Sequence, residues 1–163
     1  MKKSTNLLRQ TILNGSKTAA IIMALFLTIG ISSSFASTKD NGKGQVTASF
    51  KKDFRNAEIL GYEAHPKFTK VTFRMNDIVL FAFYSDKGEL LAVIRNILSS
   101  QLPIQLMMDL KSNYSGYWIS ELFELNGDGE NYYYVTLENA DSKITLRSTN
   151  SSDWEVYEKA PKE

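Results

Sequence analysis

His65 is the only histidine in the chain, and cysteine is absent. Those two facts exclude most familiar chemistry. A structural zinc site needs several Cys or His ligands, and a Ser-His-Asp triad would have to take His65 as its base. His65 is followed by Pro66 in an expected turn, so it reads as a surface residue without a sheltered orienting partner. Glu121 and Glu124 could in principle serve as the paired carboxylates of a hydrolase, although no motif makes two acids converge. The run "NGDGEN", Asn126 to Asn131, places oxygen ligands at alternate positions. A calcium loop wants Gly at its sixth place, where Asn131 stands, and Gly127 and Gly129 suit a hairpin turn. Met107-Met108 sits beside Leu106 and Leu110 at helical spacing, so core filling outweighs a soft-metal site. No catalytic residue, cofactor or metal is therefore assigned, and the chain is read as a non-enzyme.

The aromatic run "NYYYV" is the remaining candidate. If Val135 and Leu137 face a helix, alternation sends Tyr133 the same way and turns Tyr132 and Tyr134 outward. Ile144, Leu146, Trp154 and Val156 then pack inward, with Arg147 and Tyr157 outward. Trp118 is outward if Ile119 is inward. Exposed Trp118, Tyr132, Tyr134 and Tyr157 on an open sheet face would form a partner-binding surface. Tyrosines that merely decorate a strand are the other reading.

The elements that must position these residues follow from periodicity. In "TASFKKDFRNAE", Phe50, Phe54 and Ala57 share one helix face, with Thr47 or Ser49 as cap. The period then changes to two. "EILGYEAH", "FTKVTFRM", "IVLFAFYS" and "ELLAVIRNI" are strands, joined at His65-Pro66-Lys67, Asn76-Asp77 and Asp86-Lys87-Gly88. "IVLFAFYS" is apolar on both faces, which marks a central strand. In "SSQLPIQLMMDLKSNYSGYW", Ser99 and Ser100 can cap a second helix, with Pro103 tolerated in its first turn. Leu106 and Leu110 repeat the spacing of Phe50 and Phe54. Four more strands follow: "YWISELFEL", "YYYVTLE", "KITLRST" and "WEVYEK". The expected fold class is α+β: two tandem units of one helix plus a four-stranded antiparallel sheet, helices packed on one face. The units span about 46–98 and 99–159, after a flexible lead-in at 37–45 and before a frayed "KAPKE" tail.

The first 36 residues are of another kind. Lys2, Lys3, Arg9 and Lys17 are their only charges, "AAIIMALFLTIGI" follows, and "SSSFAS" offers Ser34 and Ala36 to a signal peptidase. Basic, apolar and small-residue regions in that order describe a secretory signal peptide. A membrane anchor is the alternative, but a spanning helix needs about 20 apolar residues and this core has 13. Cleavage after Ala36 would remove four of the 19 basic residues and none of the 18 acidic ones, leaving a net charge of −3. A mildly acidic chain without a basic cluster does not suit nucleic acid. The expected location is periplasmic or secreted, without a membrane span after cleavage.

"ASFKKDF", "AFYSDKGELLAVIRNI" followed by "LP", and "YSGYWI" together resemble the PepSY-like proteins. These are also described as β-lactamase-inhibitor-like exported proteins of Bacteroidota. The resemblance covers residues 46 to 158 and departs at Leu60-Gly61-Tyr62, where Tyr62 stands in for an expected Trp. It implies the two-unit fold, carries over no catalytic residue, and points to a protein or peptide partner in the cell envelope. A cell-envelope hydrolase using paired carboxylates is the alternative function.

Overall fold

The structure, a computed structural model, describes residues 43–161. The signal peptide, its cleavage site and most of the lead-in lie outside the described residues. Helix α1 (Lys43–Asp53) precedes strands β1 (Glu58–His65), β2 (Phe68–Met75), β3 (Ile78–Tyr84) and β4 (Leu90–Asn96). A 3₁₀ turn (Ser99–Gln101) leads into α2 (Ile104–Asn113), followed by β5 (Trp118–Gly127), β6 (Glu130–Glu138), β7 (Ser142–Ser148) and β8 (Glu155–Pro161).

The expected pair of four-stranded units is not what forms. All strands join one eight-stranded antiparallel sheet in sequential order, and two short helices accompany a mainly β chain. The joint is the β4–β5 pairing, with Val93 opposite Asn126, Ile94 opposite Leu125, Arg95 opposite Glu124 and Asn96 opposite Phe123. Periodicity within each half cannot reveal this long-range bond. Its physical reason is the edge: two separate sheets would each leave one of these apolar strands with unpaired backbone groups. Pairing β4 with β5 removes both edges at once.

Local chemistry accounts for the turns. Asn76 and Asp77 both take positive φ, 50° and 62°, and Asp128 and Gly129 do the same at 54° and 79°. Those are the two-residue turns whose twist matches an antiparallel hairpin. Gly88, at φ 73°, closes the β3–β4 turn, where an added Cβ would lie 2.8 Å from Ser49 Oγ.

Both helices lie on one face of the sheet. On α1, Val46 and Phe50 are buried against Val71, Phe73, Ala82 and Tyr84. The helix starts at Lys43, ahead of the expected Thr47, because Val46 and Phe50 are the true i, i+4 pair. Phe54 falls just past the helix end and is half-buried against Phe73, with ring centroids 4.7 Å apart. On α2, Leu106 and Leu110 pack on Leu122, Val135, Leu137, Ile144 and Leu146. Pro103 occupies the position before its first turn, and neither Ser99 nor Ser100 caps it. Tyr84 donates to Asp53 Oδ2 at 2.9 Å, and Trp154 Nε1 donates to the Leu106 carbonyl at 3.0 Å. Each helix is thereby tied to the sheet by an aromatic side chain with a polar tip, Tyr84 buried and Trp154 half-buried. The C-terminal tail is not frayed through Pro161, since Ser142 to Ile144 pair with Lys159 to Pro161.

Candidate functional site

The face opposite the helices presents Phe68, Lys70, Thr72 and Arg74 from β2, then Phe81 and Phe83 from β3. Ala92 and Ile94 come from β4, Phe123 and Leu125 from β5, and Tyr132, Tyr134 and Thr136 from β6. No helix crosses this face among the described residues, yet its centre is dry. Tyr134 is fully buried and Tyr132 is 7% exposed. The parity assigned to them is correct, whereas their expected exposure is not. The cause lies in the sheet. Register shifts at Leu60, Leu91, Ser120 and Tyr157 add to the natural twist, and rings from neighbouring strands cover one another. Phe123 stacks on Tyr134 at 5.2 Å, Tyr157 meets Tyr134 edge-on at 5.8 Å, and Phe68 lies 5.6 Å from Phe83.

Trp118 and Tyr157 complete the four expected residues. Trp118 stands opposite Glu138 on the same face and is 52% exposed. Tyr157 is half-buried, with the Arg147 guanidinium 5.5 Å from its ring centre. The face therefore brings Tyr132, Tyr134 and Tyr157 into one cluster and leaves Trp118 at its accessible end. Val156, expected inward, is 61% exposed.

Ion pairs frame this aromatic band. Lys70 reaches Glu63 at 2.9 Å and lies 5.0 Å from the Phe81 ring. Arg74 pairs with Glu58 at 3.1 Å, and Arg147 with Glu155 at 2.7 Å. Glu121 instead accepts a hydrogen bond from the buried Thr136 hydroxyl at 3.2 Å. Beyond the ion pairs the face carries the further carboxylates Glu121 and Glu130, so it is mildly acidic. Burial raises the Tyr134 pKa, and the nearby Arg147 charge offsets part of that rise. The geometry nonetheless leaves the Tyr134 hydroxyl, sealed from solvent, without a hydrogen-bond partner of ordinary geometry. Tyr132 is pushed up to about 12, first by donating to Glu130 at 2.5 Å and then by burial.

Glu121 and Glu124 do not form a carboxylate pair. Glu121 and Glu124 sit an odd number of residues apart on a stretch of β5 without a bulge. Their side chains leave opposite faces of the sheet. Glu124 is held on the helix side by Arg95 at 2.6 Å. The other candidates resolve into packing. His65 is half-buried, stacked on Phe68 at 4.5 Å. Asp128-Gly129 is a hairpin turn, and no group of three or more acidic or His residues among the described residues could hold a metal ion. Met107 packs against the α2 core while Met108 is exposed.

A cleft escaped the sequence reading. β3 and β4 pair only from Phe81 and Ile94 onward, so Ile78–Leu80 and Arg95–Asn96 face each other unpaired. A cavity of about 360 Å³ opens there. Only the exposure of Ile78 and Val79, 44% and 41%, hints at it, and exposure is not written in an apolar strand sequence.

No known family pattern matches the sequence, and no curated protein does. Solved structures do match. A DUF2874 family protein from Bacteroides uniformis is 15% identical, covering 72% of this chain and 87% of its own, at a TM-score of 0.62. A BLIP-like protein from Bacteroides fragilis is 13% identical, covering 79% and 89%, at a TM-score of 0.61. A candidate periplasmic protein from Bacteroides eggerthii is 13% identical, covering 77% and 90%, at a TM-score of 0.62. At such identities the likeness establishes a shared fold. It agrees with the β-lactamase-inhibitor-like half of the resemblance and gives no support to the PepSY name. No helix among the described residues is long and apolar enough to cross a membrane.

Proposed function

We propose that this is an exported, non-catalytic binding protein that offers the uncovered sheet face to a protein partner in the cell envelope. The observation that carries the reading is an aromatic band with no helix across it among the described residues, ending in half-exposed Trp118 and framed by ion pairs. Large rings at the edge of a dry cluster need little ordering to bind, and such residues dominate interface energetics. Export is supported by the N-terminal basic, apolar and small-residue pattern, and by structural likeness to a candidate periplasmic protein. The likeness to a BLIP-like protein supports an inhibitor-like role rather than catalysis.

Within this reading Trp118 and the open edge of Tyr157 touch the partner. Tyr132 and Tyr134 form the floor that holds them. A photo-crosslinker placed at position 118 should capture an envelope protein in living cells. The same group at Met108, on the helix side, should not. Capture from position 108 alone would reverse the assignment of faces.

A further inference from the structure

We infer that the partner of the open face is basic: an extended segment with two Lys or Arg side chains four residues apart, docking at the end marked by Trp118. The inference rests on the binding role proposed above and adds the chemistry of the partner. Two bulges build the surface. Residues three apart on a regular strand leave opposite faces, and a bulge re-aims them. The extra residue Ser120 sets Trp118 opposite Glu138 and Glu121 opposite Thr136, two positions on the same face of β6. The extra residue Tyr157 does the same on β8, with Glu155 opposite Arg147 and Glu158 opposite Thr145. Thr136 in turn stands opposite Thr145. Glu121, Thr136, Thr145 and Glu158 therefore cross the face in one line, with Trp118 beside it.

The two halves of the face differ in charge. On β1 and β2, Glu58 pairs with Arg74 and Glu63 with Lys70. Towards β8, Arg147 answers Glu155 at 2.7 Å, and half-buried Lys143 reaches Glu138 only at 3.8 Å. Glu121 and Glu158 are exposed and have no ion-pair partner among the described residues. Thr136 and Thr145 are 1% and 2% exposed, so a partner meets the carboxylates and the half-exposed Trp118 rather than the hydroxyls. A Lys or Arg placed there is attracted by a carboxylate and by an indole face together. Adjacent strands stand about 4.8 Å apart, which sets the β5 and β8 positions roughly 14 Å apart. Residues i and i+4 of an extended segment span roughly 13 Å on one side. The same acidic excess repels nucleic acid, an anionic lipid surface and the like-charged face of a second copy.

The probes are three blocked pentapeptides, added to the protein purified from the cell envelope: Lys-Thr-Val-Thr-Lys, the same residues with the two lysines adjacent, and Glu-Thr-Val-Thr-Glu. The first should bind about threefold more tightly than the second and at least tenfold more tightly than the third, and should shift the Trp118 indole N–H resonance. Its affinity should fall between low and physiological salt. Glu121→Gln with Glu158→Gln, which keeps an acceptor for Thr136, should weaken it about tenfold. Glu121→Lys with Glu158→Lys should exchange the preference, so that the acidic peptide binds better, with thermal unfolding confirming that both variants are folded. No binding at millimolar concentration, equal binding of the three peptides, or a preference unchanged by either double variant would overturn the inference. The crosslinker at position 118 separates that failure from failure of the binding role. Capture of an envelope protein that persists after Glu121→Lys with Glu158→Lys keeps the role and removes the basic partner. No capture from position 118 removes both, and capture of a second copy of this chain also overturns the basic partner.

Discussion

The two faces of the sheet reach dryness by different routes. On the covered face, aliphatic residues such as Val135, Leu137 and Leu146 are sealed by a second layer, the helices with Phe50 and Leu106. On the other face no such layer exists among the described residues. There Phe123, Tyr134 and Tyr157 seal one another, with Arg147 laid across Tyr157 and Lys70 across the neighbouring Phe81. A helix-covered face loses its cover if one anchor is removed. A self-covering face is bound to its own curvature, and any residue at its rim remains available to a partner.

The largest expected effect sits on the covered side. Phe50→Ala should cost about 3–5 kcal/mol by leaving a void beneath α1, read from chemical denaturation. Phe54→Ala should cost clearly less, since Phe54 lies beyond the helix and is half-buried. Equal costs would mean that α1 has no single anchor.

On the open side, Tyr134→Ala should cost about 3 kcal/mol or more, as a buried aromatic truncation does. Alternation along "NYYYV" predicts which face Tyr134 occupies but would have made this substitution harmless. Here lies the limit of the sequence. Strand positions and turns were legible because alternation and positive-φ pairs such as Asn76-Asp77 are local. Burial of Tyr134 was not, because it depends on rings from β5 and β8 and on bulges at Ser120 and Tyr157. The β4–β5 joint and the cleft beside it were hidden for the same reason. Val46 was missed more simply, as a helix start placed four residues late drops the first core contact. The site residues divide accordingly: Trp118 could be placed on its face and found exposed, while Tyr132 could only be placed.

Alkaline pH should separate the faces less sharply. Tyr84, on the helix side, and Tyr132 and Tyr134, on the open side, all titrate above their ordinary value of 10, with burial leading for Tyr84 and Tyr134 and the Glu130 hydrogen bond for Tyr132. A raised folded pKa means that the unfolded chain loses its proton first. Stability is therefore full below pH 10 and falls as pH rises above it, through about 12 for Tyr132. Thermal unfolding from pH 8 to 12 should show a plateau and then a decline. Tyr84→Phe should flatten part of that decline, and a slope unchanged by this substitution would remove Tyr84 from the titration.

The smallest effect tests the self-covering face most directly. Tyr134→Phe deletes one oxygen and keeps the ring that stacks on Phe123 and meets Tyr157. The hydroxyl is sealed from solvent with no partner of ordinary geometry, and an unsatisfied buried polar group costs about 1–3 kcal/mol. Removing it should leave stability unchanged or raise it by about 1 kcal/mol. The opposite outcome is equally instructive. Arg147 already gives its Nε and a terminal nitrogen to Glu155, but it retains further donors. If Tyr134→Phe loses more than about 1 kcal/mol, the hydroxyl accepts from that guanidinium in solution. The double variant with Arg147→Met would then recover the coupling as non-additivity. The open face would in that case be pinned by a polar contact at its centre, and not by ring packing alone.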